Sequence, residues 1–275
     1  MFIFFLHAIS VSRHLLAAFE KWGIRKWAGR TYGHSRALWR FRFFLRSHFW
    51  LRRTEASQWE SLKSLDVTFI NLESRPDRAA AIQEEFSRLR LPPPRRFGAV
   101  SSDNAMLGAA TSHYEAIKQA SLRAGARPIM VCEDDLQFLC DRETLEEIYS
   151  EFMGNPLVDV LCLAFIIKNT TRMTAGEPVE VGPNLLISNE IITQACHVLK
   201  PRAIATVLAS LDGSRILLGR GLPWRYAAGD VLWQRVQQGK LFFAVPKVRT
   251  SRQREGFSDI WQSYKSLKNG GESST

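Results

Sequence analysis

After residue 62 the chain alternates short apolar runs with stretches in which apolar residues recur every three or four positions. The first pattern suits strands and the second amphipathic helices. A strand is predicted over 67–72. A helix follows in "SRPDRAAAIQEEFSRLRL", where Ile82, Phe86 and Leu89 share a face, Pro76 fits the first turn, and Ser74 with Asp77 makes a capping pattern. Prolines 92, 93 and 94 end it. "RFGAV" reads as a second short strand. In "LGAATSHYEAIKQASLRAG", Ser112 and Glu115 form a capping box, Ala116, Ile117 and Ala120 an apolar stripe, and Gly125 a stop.

Pro128 opens a third strand, which ends in three carboxylates: Glu133, Asp134 and Asp135. "VDVLCLAFII" reads as a buried strand. "ITQACHVLKPRAIATVLASL" reads as a strand and a helix begun at Pro201 and stopped at Gly213. The last alternation is a helix over 230–238, a stop at Gly239 and a strand in "KLFFAVP". Strand and helix in turn predict an α/β fold with a mostly parallel sheet flanked by helices. The domain is expected over 63–268, with a polar tail over 269–275.

Residues 1–62 break this pattern. The first 53 hold eleven Lys and Arg against Glu20 alone, so the chain's net charge of +10 is concentrated there. Four of the eight tryptophans (Trp22, Trp27, Trp39 and Trp50) lie there too, with Phe41, Phe43, Phe44 and Phe49 in "LWRFRFFLRSHFWLRR". Large aromatics prefer the headgroup boundary of a bilayer, and Lys and Arg pair with anionic lipid. The segment is therefore expected to be a basic, aromatic helical extension lying on a membrane surface. A plain helical extension packed on the domain is the alternative. Nucleic acid is not expected as a partner, because such arms are richer in Lys and Gly.

The opening "MFIFFLHAI" meets Arg13 and His14 well before the ~20 apolar residues of a spanning helix. No basic region precedes it, so a cleaved signal peptide is not expected. Cys132, Cys140, Cys162 and Cys196 show no paired or metal-ligand spacing. Reduced thiols, and with them a cytoplasmic protein on the inner face of the membrane, are the expectation.

Ligands of open α/β sheets sit outside the carboxyl ends of the strands, where Glu133, Asp134 and Asp135 emerge. In extended backbone, residues two apart point the same way, so Glu133 and Asp135 can face one cation while Asp134 turns elsewhere. Two hard oxygen ligands with open positions suit Mg²⁺ or Mn²⁺ bound to a diphosphate. An isolated acidic run also serves to cap a helix or face solvent, so the motif needs support from elsewhere in the chain.

That support is a resemblance carried by "FINLESRPDR", "RFGAV", "LGAATSH", "VCEDDL", "TQACHVLKPRA" and "SDI", in this order between Val67 and Ile260. Together they resemble glycosyltransferase family 25. Ala109 stands where that family often has cysteine. The resemblance implies a GT-A-like fold, a nucleotide-sugar donor (a UDP-sugar first) and a metal motif falling on Glu133 and Asp135. It also implies a nucleotide site around Asn71, Leu72, Arg75, Asp77, Arg78 and Asp134.

Arginine can pair with phosphate, although Arg75 and Arg78 also read as solvated helix-start residues. Ser112 and His113, placed at a helix start, would favour phosphate through the helix dipole; capping alone explains Ser112 equally well. "AAGDVLWQRVQQG" resembles the helix that carries the general base of inverting GT-A enzymes, which makes Asp230 the catalytic candidate and helix capping its ordinary alternative. Asp259 could touch metal or acceptor. His197, in an apolar strand, reads as a satisfied core residue.

The expected activity is metal-dependent transfer of a hexose, with galactose the first candidate, to a lipopolysaccharide or other glycan or lipid-linked acceptor, with inversion. The alternatives are a metal-dependent phosphotransferase or nuclease, and a non-catalytic membrane- or partner-binding protein on a degenerate transferase fold.

Overall fold

A computed structural model describes residues 61–167, 178–258 and 263–265. The basic aromatic extension, Asp259 and the polar tail lie outside these residues. Among the described residues no helix is long and apolar enough to cross a membrane.

One sheet of eight strands organises the domain. In chain order the elements are β1 (Asp66–Asn71), α1 (Pro76–Arg88), β2 (Arg95–Gly98), α2 (Ala105–Ala124), β3 (Ile129–Glu133), β4 (Leu136–Phe138), α3 (Arg142–Gly154) and β5 (Val160–Ile167). They continue with β6 (Val179–Glu180), β7 (Leu185–Ser188), β8 (Ile191–Leu199), α4 (Pro201–Gly219), α5 (Trp224–Ala227), α6 (Gly229–Gly239), β9 (Phe243–Pro246), β10 (Ser251–Gln253), β11 (Gly256–Ser258) and β12 (Ser263–Lys265). The large sheet runs β2-β1-β3-β8-β5-β9-β7-β6. β1 pairs parallel with β2 and β3, and β5 with β9, whereas β8 and β7 run against their neighbours. The sheet is thus mostly parallel in direction, as the strand–helix alternation predicts, with two reversed strands that it does not predict.

Alternation along the strands builds a core on each face. Met130 and Cys132 of β3 join Ile82 and Phe86 of α1 and Leu145 and Phe152 of α3. Ile129 and Val131 point the other way, onto Ile117 of α2, Val207 of α4 and Trp233 of α6. Burying side chains such as these stabilises the fold by about 1.5–3 kcal/mol each. Leu62 already belongs to this core, and its N–H donates to Glu146 at 2.8 Å.

Several helix starts differ from the sequence reading. α1 begins at Pro76, and Arg75 rather than Ser74 occupies the position before it, with no side-chain cap. α2 begins two turns earlier than expected, at Ala105, because Asn104 accepts from the N–H of Leu107 as a true cap. Ser112 and His113 therefore lie inside the helix, away from its positive end. Gly213 does not stop α4, which runs on to Gly219 because buried Ser214 and Leu218 extend the packed face. Asp230 is not a cap either: Ala228 precedes α6, and Asp230 sits in its first turn.

Candidate functional site

The parallel pairing of β1 with β3 sets Ile70 beside Glu133, so both strands finish at the same edge of the sheet. A cleft of about 830 Å³ opens there. Its lining includes Leu72, Arg78, the segment 99–106, His113, the three carboxylates, Trp224 and Gln253.

The three carboxylates have separate fates. β3 stops at Glu133 and the chain turns at Asp134 and Asp135 before β4, so their directions come from a turn and not from extended backbone. Asp134 is buried and held by the protein. Asn71 Nδ2 donates to its Oδ2 at 2.7 Å, and Arg78 Nη1 to its Oδ1 at 3.1 Å. Burial pushes its pKa up, while the Asn71 bond and the Arg78 charge oppose that rise.

Glu133 and Asp135 converge from either side of this turn. The Gln253 side-chain amide donates to Glu133 Oε2 at 2.8 Å and approaches the two oxygens of Asp135 at 3.4 and 3.5 Å. The antiparallel β4–β10 pair sets this position, with Gln253 opposite Leu136 and the Arg254 N–H donating to the Asp135 carbonyl at 2.6 Å. His113 Nε2 stands 3.3 Å from the other oxygen of Glu133, Oε1. Buried His113 thus orients Glu133 from behind. Among the described residues no three of His, Cys, Asp and Glu gather as a metal cage.

The donor set nevertheless fits a hard divalent ion. Three oxygens of two carboxylates approach the Gln253 side-chain amide, and oxygen ligands with open positions suit Mg²⁺ or Mn²⁺. Glu133 and Asp135 are the residues that would hold it.

The remaining predicted residues divide between the cleft and its supports. Asn71, buried, is a tie: besides Asp134 it donates to the Arg75 carbonyl and accepts from Arg96 Nε at 2.8 Å. Arg75 makes a two-pronged bond to Asp77, at 3.0 and 2.9 Å, and the Arg75 guanidinium holds the exposed Asp77 carboxyl down at about 2. Neither is part of the cleft lining, whereas Leu72 and Arg78 are. Ser112 works on the backbone: its Oγ donates to the Gly108 carbonyl at 2.7 Å and accepts from the Val100 N–H at 2.8 Å. It pins the loop over 99–104 to α2.

Asp230 is largely shielded from solvent. Burial is the main cause that raises its pKa, and the charge of Glu133 adds to it while His113 acts the other way. Asp230 is not part of the cleft lining. Its Oδ1 also accepts from the Val231 N–H at 2.9 Å. Gly229 opens α6 against the Gln194 side chain, whose Oε1 a Cβ there would approach to 2.7 Å.

Behind His113 lies His197, fully buried, with ring centroids 5.9 Å apart and the Trp233 ring 4.8 Å beyond it. His197 is a core residue, as expected; among the described residues its ring nitrogens have no hydrogen-bond partner within ordinary geometry, although the Gln194 backbone lies near the ring. Burial drives its pKa down to about 3, helped by His113 and opposed by the Gln194 backbone. Cys132, Cys162 and Cys196 are buried and Cys140 half-buried, all as free thiols.

Gln253 was invisible to sequence reasoning, since it lies 120 residues from Glu133. A second depression, of about 710 Å³, runs along α3. Two of its carboxylates, Glu146 and Glu151, are engaged by the backbone N–H groups of Leu62 and Asn184, so it assembles no comparable group.

No protein-family model matches the chain, and no curated protein matches it in sequence. Among solved structures it is similar to a glycosyltransferase involved in glycosylation of the major capsid of PBCV-1, at 9% identity and a TM-score of 0.43, over 70% of this chain and 94% of that one. It is also similar to mouse xyloside xylosyltransferase 1, at 11% identity and a TM-score of 0.36, over 65% and 71%. A third is mannose-1-phosphate geranyltransferase from Thermus thermophilus, at 12% identity and a TM-score of 0.34, over 70% and 74%.

Proposed function

We propose that this protein is a glycosyltransferase of the family 25 type, with a GT-A-like domain, which moves a hexose from a nucleotide sugar to a glycan or lipid-linked acceptor. One observation carries the reading: carboxylate oxygens of Glu133 and Asp135 both approach the Gln253 side-chain amide, at 2.8 Å and at 3.4 and 3.5 Å, so one small ion set between the two carboxylates would meet both. A Mn²⁺ or Mg²⁺ ion held there would neutralise charge on the departing diphosphate.

The chain's own residues supply the rest. Arg78, on the cleft wall, adds positive charge where donor phosphates would lie. Asp134, tied to Asn71 and Arg78, fixes the turn that aims its two neighbours. Asp230, in the first turn of α6, takes the proton of the acceptor hydroxyl as that hydroxyl attacks the anomeric carbon, and a raised pKa suits a general base. Attack from the face opposite the leaving group inverts the sugar. Trp224, about half exposed on α5, offers an aromatic face in the same cleft on which a sugar ring can stack.

Thermal shift with UDP and Mn²⁺ tests the reading. Both ligands together at about 100 times their Kd should stabilise the protein by about 2.7 kcal/mol, a rise of about 5–10 °C. Glu133→Gln and Asp135→Asn should abolish the rise and the donor-dependent release of UDP while the far-UV spectrum is kept. An equal rise in both variants would defeat the metal assignment. No rise in the native protein would favour a non-catalytic binding role.

The basic aromatic segment is proposed to hold this enzyme on anionic lipid at the inner face of the membrane. Salt-sensitive binding to anionic vesicles should vanish when residues 1–53 are deleted. Undiminished binding by the shortened chain would remove the idea.

A further inference from the structure

We infer that Gln253 is itself a ligand of the divalent ion proposed above, reached by turning its side-chain amide half a revolution so that Oε1 replaces Nε2. The inference rests on the reading that the ion sits between Glu133 and Asp135.

The amide nitrogen stands 2.8 Å from Glu133 Oε2 and 3.4 and 3.5 Å from the oxygens of Asp135. A donor faces the carboxylates because an amide oxygen in its place would be repelled. A cation at the centre reverses that preference. The terminal torsion of glutamine is broad and roughly two-fold, so the two ends exchange without moving the backbone. β10 keeps Gln253 in register beside the acidic turn meanwhile, through its pairing with β4 and the Arg254–Asp135 backbone bond.

The make-up of the site argues for an amide as the third protein donor. Among the described residues no third His, Cys, Asp or Glu joins these two carboxylates as a ligand set. The nearby imidazole is committed to Glu133 Oε1, the oxygen that Gln253 does not touch. An amide carbonyl is an ordinary ligand of hard cations. The resulting all-oxygen set suits Mn²⁺ and Mg²⁺ and gives a thiophilic or imidazole-seeking ion such as Zn²⁺ no soft donor.

The experiment titrates Mn²⁺ into the full chain with saturating UDP and follows free Mn²⁺ by its paramagnetic resonance signal, so no turnover is needed. Gln253→Leu, which keeps bulk but removes the carbonyl, should weaken Mn²⁺ binding at least tenfold. Gln253→Glu, which restores an oxygen, should bind at least as tightly as the native chain. Native-like affinity in Gln253→Leu, with binding lost in Glu133→Gln, would overturn the inference and leave the ion site standing. Weak binding by both Gln253 variants would also overturn it, since an oxygen alone should rescue. Failure of the native chain to bind Mn²⁺ would remove the site and the inference together. Should Gln253→Leu not fold, Gln253→Glu decides: tighter or equal binding supports the assignment and weaker binding rejects it.

Discussion

The side-chain amide of Asn71 donates to Asp134 Oδ2 across 2.7 Å, joining the end of β1 to the turn after β3. The same side chain accepts from Arg96 on β2, so three adjacent strand ends meet at one buried residue. Asn71→Ala would leave a buried carboxylate and a guanidinium each short of a partner. It should cost about 1–3 kcal/mol, lowering Tm by about 2–4 °C per kcal/mol. An unchanged Tm would show that the tie does not hold the turn.

Asp230 should separate catalysis from stability. Asp230→Asn is expected to lower kcat by about 10²–10⁴-fold with little change in KM for the donor. Burial raises the carboxyl's pKa above 3.8, so the folded state binds the proton more tightly than the unfolded one. Stability is therefore greatest below the unfolded value and declines as pH rises through the folded value, which leaves the ionised group a burden at neutral pH. The asparagine variant should melt no lower than the native protein at pH 7, and the acid limb of the native rate profile should inflect above 3.8. A variant that loses activity only because it unfolds would contradict this.

Gly108 limits how near α2 comes to the loop over 99–104. A Cβ there would stand 2.7 Å from the Val100 carbonyl oxygen, which is backbone and cannot turn aside. Gly108→Ala should cost about 1–3 kcal/mol and weaken UDP binding as well, because that loop lines the cleft. Calorimetry and UDP titration check both parts. Full stability in the alanine variant would mean that the loop yields freely.

His197 sets an acid limit on the fold. Its pKa falls from 6.5 to about 3 on folding, so the unfolded chain binds the extra proton between those values. Stability from this group is complete above 6.5 and declines as pH falls toward 3, by at most about 1.4 kcal/mol per pH unit. His197→Leu should flatten the decline of Tm between pH 6.5 and 4.5. Parallel Tm profiles would place the acid sensitivity elsewhere.

Much of this architecture was legible before the coordinates, and its failures have physical causes. The acidic run after an apolar strand marks the sheet edge at which the cleft opens, but the separation of Asp134 from its neighbours comes from the turn after Glu133 and not from the alternation expected of a strand. β8 was read as a strand, but its direction was not readable. A strand buried on both faces shows the same apolar run whether it lies parallel or reversed. Ser112 imitates a capping box because the pattern Ser-x-x-Glu recurs within helices, while Asn104, the actual cap, sits in a polar loop that gave no reason to prefer it. Arg75 and Asp77 satisfy each other at the start of α1, a pairing that the cation's fitness for phosphate conceals. Gln253 carries no motif at all, and only the pairing of β10 with β4 brings it to the turn.

That pairing also sets an order of events during synthesis. A ribosome that has released the chain as far as Pro246 has supplied every strand of the eight-stranded sheet, with both acidic residues already in place at its edge. The glutamine that closes over them is still to come. The strands of the scaffold are thus supplied before the residue that bridges Glu133 and Asp135, which lies beyond the last strand of the sheet.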